Sequence, residues 1–240
     1  MPAALILIDL QNDFLPPDGA LAVPGGDAIL ERAVYPLIDE GEWELVVASQ
    51  DYHPSGHISF ASRHNLPPFS STLVSLPPER GGAQIEQELW PDHCVRETRG
   101  CEFETGVQER LDRLRASGGR VEVVQKGADI DLDAYSAFAI PLSDPNQDES
   151  PLTRLLLAAA IDTLVVVGLA TDFCVRASVL AAIAAAQHSK RRWKVLVVRE
   201  GVKGVFAERE EAVLKELEEA GAEVVEMSSP AIREFLRSFQ

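Results

Sequence analysis

Short apolar runs, each separated from the next by a stretch of helix length, constrain this chain more than any other feature of its sequence. Runs rich in Val, Ile and Leu stand at residues 4–10, 45–49, 121–125, 163–168, 194–198 and 223–227. Each has strand length, and most are apolar at successive positions, as strands covered on both faces of a parallel sheet are. Between them lie helical patterns at 28–39, 107–115, 152–160, 172–187 and 208–220; in the first, Ile29, Leu30, Ala33 and Leu37 share a face. Strands alternating with helices predict βαβ units with right-handed crossovers. The expected fold is α/β, a three-layer sandwich around a mostly parallel sheet of six strands. With 240 residues, the chain suits a single domain over 1–240 that buries its own core without staples.

Two stretches break the alternation. Residues 52–106 are rich in Pro, Ser, His and Gly and show no sustained period; a loop this long inside a compact domain is functional or disordered. Four of the five histidines fall between 53 and 93, which favours function. Residues 141–151 (PLSDPNQDESP) read as a mobile surface insertion.

Charge and composition exclude several classes. Lys and Arg total 22 against 38 Asp and Glu, a formal net charge of −16. Nucleic-acid and anionic-membrane surfaces need clustered Lys and Arg, so neither is expected as a partner. Eight Glu with one Arg and one Lys in 206–227 place much of this excess on a solvated helix face. Three cysteines do not make a disulfide framework and point to a reducing compartment. The first residues lack the basic flank and long apolar stretch of a signal peptide, and no run approaches the roughly 20 apolar residues of a membrane helix. The cytosol is the expected location, with the nucleus also open. A dinucleotide fingerprint, a P-loop, a Gly-x-Ser-x-Gly elbow and a Cys-x-x-Cys pair are all missing from the sequence.

In open parallel sheets, ligands bind at the carboxyl ends of the strands. The first run ends at Asp9, the second at Asp51 followed by His53, the third at Lys126, and the fourth at Gly168, from which LATDFCV leads into a helix with Cys174 in its first turn. Four strand ends thus offer two carboxylates, an ammonium and a thiol. A lone cysteine is more often a small buried apolar residue, but a thiol at a helix N-terminus is acidified and becomes a better nucleophile. The N–H groups there, of Ala170 and Cys174, would hold an oxyanion. Asp9 directly follows an apolar run, and a buried carboxylate needs a partner; Lys126 is the available cation. The pair is either a structural ion pair or a proton acceptor held by an ammonium. Asp51, His53 and His93 suit a Zn²⁺, Fe²⁺ or Mn²⁺ site with open positions; solvated loop histidines are the plainer reading. His57 would stand behind such a site and His64 at the surface. Phe14, Trp90 and Tyr135 lie close in sequence to these segments, and either hold a planar substrate or plug the core. Cys94 and Cys101 read as bystanders.

Five segments in order carry a family resemblance: IDLQNDF around Asp9, SQDYHPSGHISFA around Asp51 and His53, WPDHCV around His93, QKGADIDLDAYSAF around Lys126 and Tyr135, and GLATDFCV around Cys174. The chain resembles nicotinamidases of the isochorismatase-like cysteine hydrolases over nearly its whole length. The spacing and the 141–151 insertion resemble fungal or other eukaryotic-type members more than short bacterial ones. The resemblance implies an amidohydrolase that converts nicotinamide to nicotinate and ammonia in NAD salvage. Cys174 would be the nucleophile, Asp9 the general base and then acid, and Lys126 their neighbour. The oxyanion hole would be the N–H groups of Ala170 and Cys174, with a cis peptide between Leu169 and Ala170. Asp51, His53 and His93 would be the metal ligands, zinc first and iron or manganese as alternatives. Phe14, Leu21, Trp90 and Tyr135 would form the ring pocket. A related hydrolase acting on another amide is the competing reading, and a homo-oligomer is left open.

Overall fold

The computed structural model describes residues 1–188 and 193–237. Its strands are β1 (Ala3–Ile8), β2 (Leu45–Asp51), β3 (Ser70–Ser75), β4 (Gln84–Leu89), β5 (Val121–Lys126), β6 (Thr163–Leu169), β7 (Lys194–Lys203) and β8 (Glu223–Val225). Its helices are α1 (Tyr35–Glu40), α2 (Ala61–His64), α3 (Thr105–Ala116), α4 (Pro151–Ala158), α5 (Arg176–His188), α6 (Glu210–Ala220) and α7 (Pro230–Arg233). Six strands pair in the order β5-β2-β1-β6-β7-β8, every neighbouring pair parallel, as the six apolar runs predict.

Alternation of side chains along each strand builds two cores from the same residues. Leu5, Leu7, Val46, Ala48, Val165 and Val167 meet residues around α1 and α3 on one face. Ala4, Ile6, Ile8, Leu45, Val47, Leu164 and Val166 meet α4, α5 and α6 on the other. Two of the helices, α3 and α4, start where side chains take their free N–H groups. Glu104 accepts from Val107 N at 2.9 Å ahead of α3, and Ser150 accepts from Thr153 N at 3.0 Å ahead of α4, with Pro151 beginning that helix.

The stretch 52–106 is not the structureless loop its sequence suggests. It folds α2 and an antiparallel hairpin of β3 and β4, with Ser70 opposite Leu89 and Ser75 opposite Gln84. The hairpin gives no apolar period because it stands off the main sheet: Val74, Gln87 and Leu89 are buried, whereas Leu73 is 67% exposed. The 141–151 insertion has no regular element before α4, as expected, but it is tied down. Asp129 accepts from Leu142 N at 2.9 Å, and Asp144 accepts from Arg154 Nη2 at 2.6 Å. Among the described residues no helix is long and apolar enough to cross a membrane.

Strand order positions the chemistry. The chain runs outward from β1 through β2 to β5, then returns to the opposite side of β1 as β6. The carboxyl ends of β1 and β6 therefore flank a topological switch point, where connections diverge and leave a crevice. Register adds the rest: Asp51 stands opposite Lys126, and Ile8 opposite Gly168. Gly168 has φ 131, and a Cβ there would run into the Ile8 backbone, so only glycine lets β1 and β6 close up beside the crevice.

Candidate active site and metal centre

Asp9 leaves β1 in the left-handed region, φ 49, and is fully buried. Its N–H donates to Ser49 Oγ at 3.2 Å, and the same hydroxyl donates to Asp9 Oδ1 at 2.6 Å. The Lys126 ammonium reaches three side chains at once, Asp51 Oδ1 at 2.5 Å, Asp9 Oδ2 at 2.8 Å and Cys174 Sγ at 3.3 Å, and donates to Ala134 O at 3.5 Å. Cys174 sits on the turn Thr171–Val175 that leads into α5, where Phe173 and Val175 N–H groups both turn back to Ala170 O at 3.1 Å. The Leu169–Ala170 peptide bond is cis. The ligand atoms of Asp9, Asp51 and Cys174 lie within 4.8 Å of one another, and Lys126 supplies the positive charge among them.

Burial sets the charge states. For Lys126 burial works against the charge, but Asp51 and Asp9 more than offset it and hold the ammonium well above the ordinary lysine value. Asp51 is pushed up by burial yet pulled well below the carboxylate range by Lys126 and His53. Asp9 goes the other way: burial raises it beyond what Lys126 can pull down, and Asp51 adds to the rise. The Cys174 thiol departs from expectation. Burial pushes it well above its usual value, Lys126 pulls it down, and Asp9 and Asp51 push it further up. Burial, with two carboxylates nearby, outweighs Lys126, so the thiol is held above its usual value and its attack needs a proton acceptor at hand.

Asp51, His53 and His93 form a second group, all buried, with ligand atoms within 4.8 Å of one another. His53 Nδ1 is bonded to Gly127 O at 2.9 Å and His93 Nδ1 to Pro91 O at 2.7 Å. Each ring therefore turns Nε2 to Asp51 Oδ2, at 3.6 Å and 4.0 Å. This donor set fits a divalent metal: two imidazole nitrogens and a carboxylate oxygen converge, with backbone carbonyls fixing the tautomers. Burial, with His53 facing it, holds His93 at about 4, so its ring is neutral at neutral pH. Three protein ligands leave coordination positions open, as catalytic sites do. Gly127 has φ 62, and a Cβ there would enter the His53 ring.

Neighbouring residues hold these ligands. Gln11, fully buried, accepts from Asp51 N and donates to Asp51 O, both at 2.8 Å. Asp13 Oδ2 accepts from Cys94 N at 2.7 Å and fixes the loop carrying His93. His57 stacks on His53 with ring centroids 4.1 Å apart; its own nitrogens meet Ser59 Oγ at 2.7 Å and Leu132 O at 3.3 Å. It stands behind the ligands rather than among them. His64 is half-buried rather than on the surface, its Nε2 bonded to Ile58 O at 2.8 Å. Cys94 and Cys101 are buried and free, and Cys101 Sγ donates to Asp51 O at 3.2 Å; burial pushes the Cys101 thiol to about 12.

Phe14, Leu21, Trp90 and Tyr135 line one small apolar cavity that opens onto Cys174, Ala170, Asp51 and His93. Phe173 and Val205 complete its wall, and neither is singled out by the sequence reading. Phe173 stands next to Cys174 and packs edge-on to Trp90, centroids 4.8 Å apart. Trp90 Nε1 donates to the Tyr135 hydroxyl at 3.0 Å. A far roomier surface cleft, about 750 Å³ beside Arg63 and Asp131, holds none of these groups.

The isochorismatase domain model matches residues 3–229. The nicotinamidase of Escherichia coli is 36% identical over 226 residues, covering 92% of this chain and 93% of that protein. The crystal structure of yeast nicotinamidase bound to the inhibitor nicotinaldehyde superposes with a TM-score of 0.79 at 28% identity, over 93% of this chain and 99% of that one. The pyrazinamidase of Pyrococcus horikoshii in complex with zinc superposes at 0.65 with 30% identity, over 94% and 99%. Bacterial, fungal and archaeal proteins thus all align over most of the chain, and with strand ends, cavity and metal-type ligands in place the chain belongs to the isochorismatase domain family.

Proposed function

We propose that this protein is a nicotinamidase, a cysteine amidohydrolase that converts nicotinamide to nicotinate and ammonia and so returns nicotinamide to NAD synthesis. One observation carries the reading: Asp51 belongs to both clusters, with Oδ1 on Lys126 and Oδ2 facing His53 and His93, and both clusters border one small apolar cavity walled by aromatic side chains. The nicotinamidases of E. coli and yeast supply the substrate.

The pyridine ring lies between Phe14, Leu21, Trp90 and Tyr135, with its carboxamide carbon at Cys174. Asp9 takes the thiol proton as sulfur attacks, which a carboxylate of raised pKa beside a protonated sulfur is suited to do. The S–C bond forms, and negative charge gathers on the amide oxygen, facing the N–H groups of Ala170 and Cys174. Asp9 then gives its proton to the leaving nitrogen, the C–N bond breaks and ammonia departs, leaving a thioester. Water hydrolyses the thioester, with Asp9 accepting its proton and returning it to sulfur. Lys126 stays charged throughout and balances the two carboxylates. Asp51, His53 and His93 would hold a divalent metal, which would supply Lewis-acid attraction for the pyridine nitrogen. Zinc is the first choice, given the zinc complex of the P. horikoshii protein, with iron and manganese as alternatives. Cys174 must stay reduced to react, which favours a reducing compartment, the cytosol or the nucleus.

The test is an ammonia assay on metal-loaded protein with nicotinamide as the amide. Equimolar ammonia and nicotinate are expected. Turnover of a different amide with none of nicotinamide would move the reading to another hydrolase of the family.

A further inference from the structure

Ser49 is fully buried, in a file of β2 side chains that begins Leu45, Val47 on the α5 side of the sheet. A hydroxyl in that position costs stability unless it is bonded. Both of its bonds go to Asp9: it accepts the Asp9 N–H at 3.2 Å and donates to Oδ1 at 2.6 Å. The first bond holds a non-glycine residue at φ 49. The second occupies one carboxylate oxygen, so that Oδ2 is the one left beside Lys126 at 2.8 Å, in a carboxylate whose ligand atom lies within 4.8 Å of Cys174 Sγ.

We propose that Ser49 is a positioning residue for the hydrolysis, the third member of a line running Cys174, Asp9, Ser49. A base works when a further group fixes its orientation, and among the described residues Ser49 is the one donor hydrogen-bonded to Oδ1. Without the hydroxyl, the carboxylate rotates about its Cβ–Cγ bond and both oxygens compete for the ammonium. The proton acceptor is then turned away from sulfur for much of the time. Ser49 touches neither the ring cavity nor the three metal-type ligand atoms, so its loss falls on the chemical steps and not on substrate or metal binding.

The inference rests on the nicotinamidase reading, and the experiment separates the two. Steady-state kinetics on nicotinamide are measured for metal-loaded wild type, Ser49→Ala and Ser49→Thr, with metal content determined on each. A hydrogen bond to a charged group supports a fall in kcat of about tenfold to a hundredfold in Ser49→Ala. KM and metal content are expected within about twofold of wild type, and Ser49→Thr, which keeps the hydroxyl and suits a strand, recovers most of kcat. Where Ser49→Ala does not fold, Ser49→Cys, similar in volume with only a weak donor, is expected to show the same split. Unchanged kcat in the hydroxyl-free variant, a loss carried by KM or metal content, or no recovery with threonine overturns the assignment. Absence of ammonia release by wild type would instead overturn the substrate.

Discussion

Replacing Lys126 by Met keeps a side chain of similar length and removes the ammonium that bridges both buried carboxylates. The Lys126 side chain is 1% exposed, that of Asp9 0% and that of Asp51 6%. Leaving a buried partner unpaired costs about 3–5 kcal/mol, a large share of the 5–15 kcal/mol typical of a folded domain. In a domain of this size each kcal/mol moves Tm by about 2–4 °C, so the metal-free variant should melt about 6–20 °C lower at neutral pH. The pH dependence fixes the cause. Lys126 is raised above its ordinary 10.5, so its stabilisation is fully present below that value and is lost as pH rises through the folded one. Asp51 is lowered, so its share is present above 3.8 and lost as pH falls through its folded value. Asp9 is raised, so the folded state loses stability as pH climbs from 3.8 through the folded value. With the ammonium gone both carboxylates move up, and acid relieves the strain by protonating them. Urea unfolding of metal-free wild type and Lys126→Met at about pH 7 and about pH 4.5 reads this directly. The deficit should shrink in acid. Equal stability at neutral pH, or a deficit that grows in acid, refutes the reasoning.

Other perturbations separate chemistry from structure. Cys174→Ala should abolish ammonia release while leaving the circular-dichroism spectrum unchanged; turnover near wild type would reject the nucleophile. Chelation should lower activity, with metal analysis finding about one ion per chain before treatment, and His93→Ala should bind that ion at least tenfold more weakly. Glu104→Ala should cost about 0.5–2 kcal/mol by uncapping α3, with kcat unchanged, because Glu104 holds Val107 N and the Tyr35 hydroxyl rather than any reacting group.

Fold and site differ in how far the sequence reveals them. The central strands are legible because alternate side chains of each face two apolar layers, so Ala4–Ile8 or Leu164–Val167 read as unbroken runs. Asp9, Asp51, Lys126 and Cys174 are legible because polar residues end those runs, and parallel sheets put ligands there. The hairpin of β3 and β4 is not, since its residues pack mainly on each other and on solvent. Ser49 and Gln11 are missed for a different reason. Each is one polar residue whose partner lies 40 positions away, and only the register of β1 against β2 brings them together. Val205 likewise reaches the cavity because Asp172 accepts its N–H at 2.9 Å, a contact with no signal in local sequence. The acidified thiol expected of Cys174 fails because its shift depends on how dry the site is and on two carboxylates from other strands.

The central claim, that Cys174 carries the acyl group of nicotinamide between attack and hydrolysis, is tested most directly by rapid acid quench of metal-loaded enzyme during turnover, followed by peptide mass spectrometry. The account predicts one nicotinoyl group on the Cys174 peptide, formed with release of an equal amount of ammonia and absent in Cys174→Ala. Nicotinate produced at the full rate with an unmodified Cys174 peptide, in quenched samples that also contain hydroxylamine and yield no nicotinoyl hydroxamate, would contradict it.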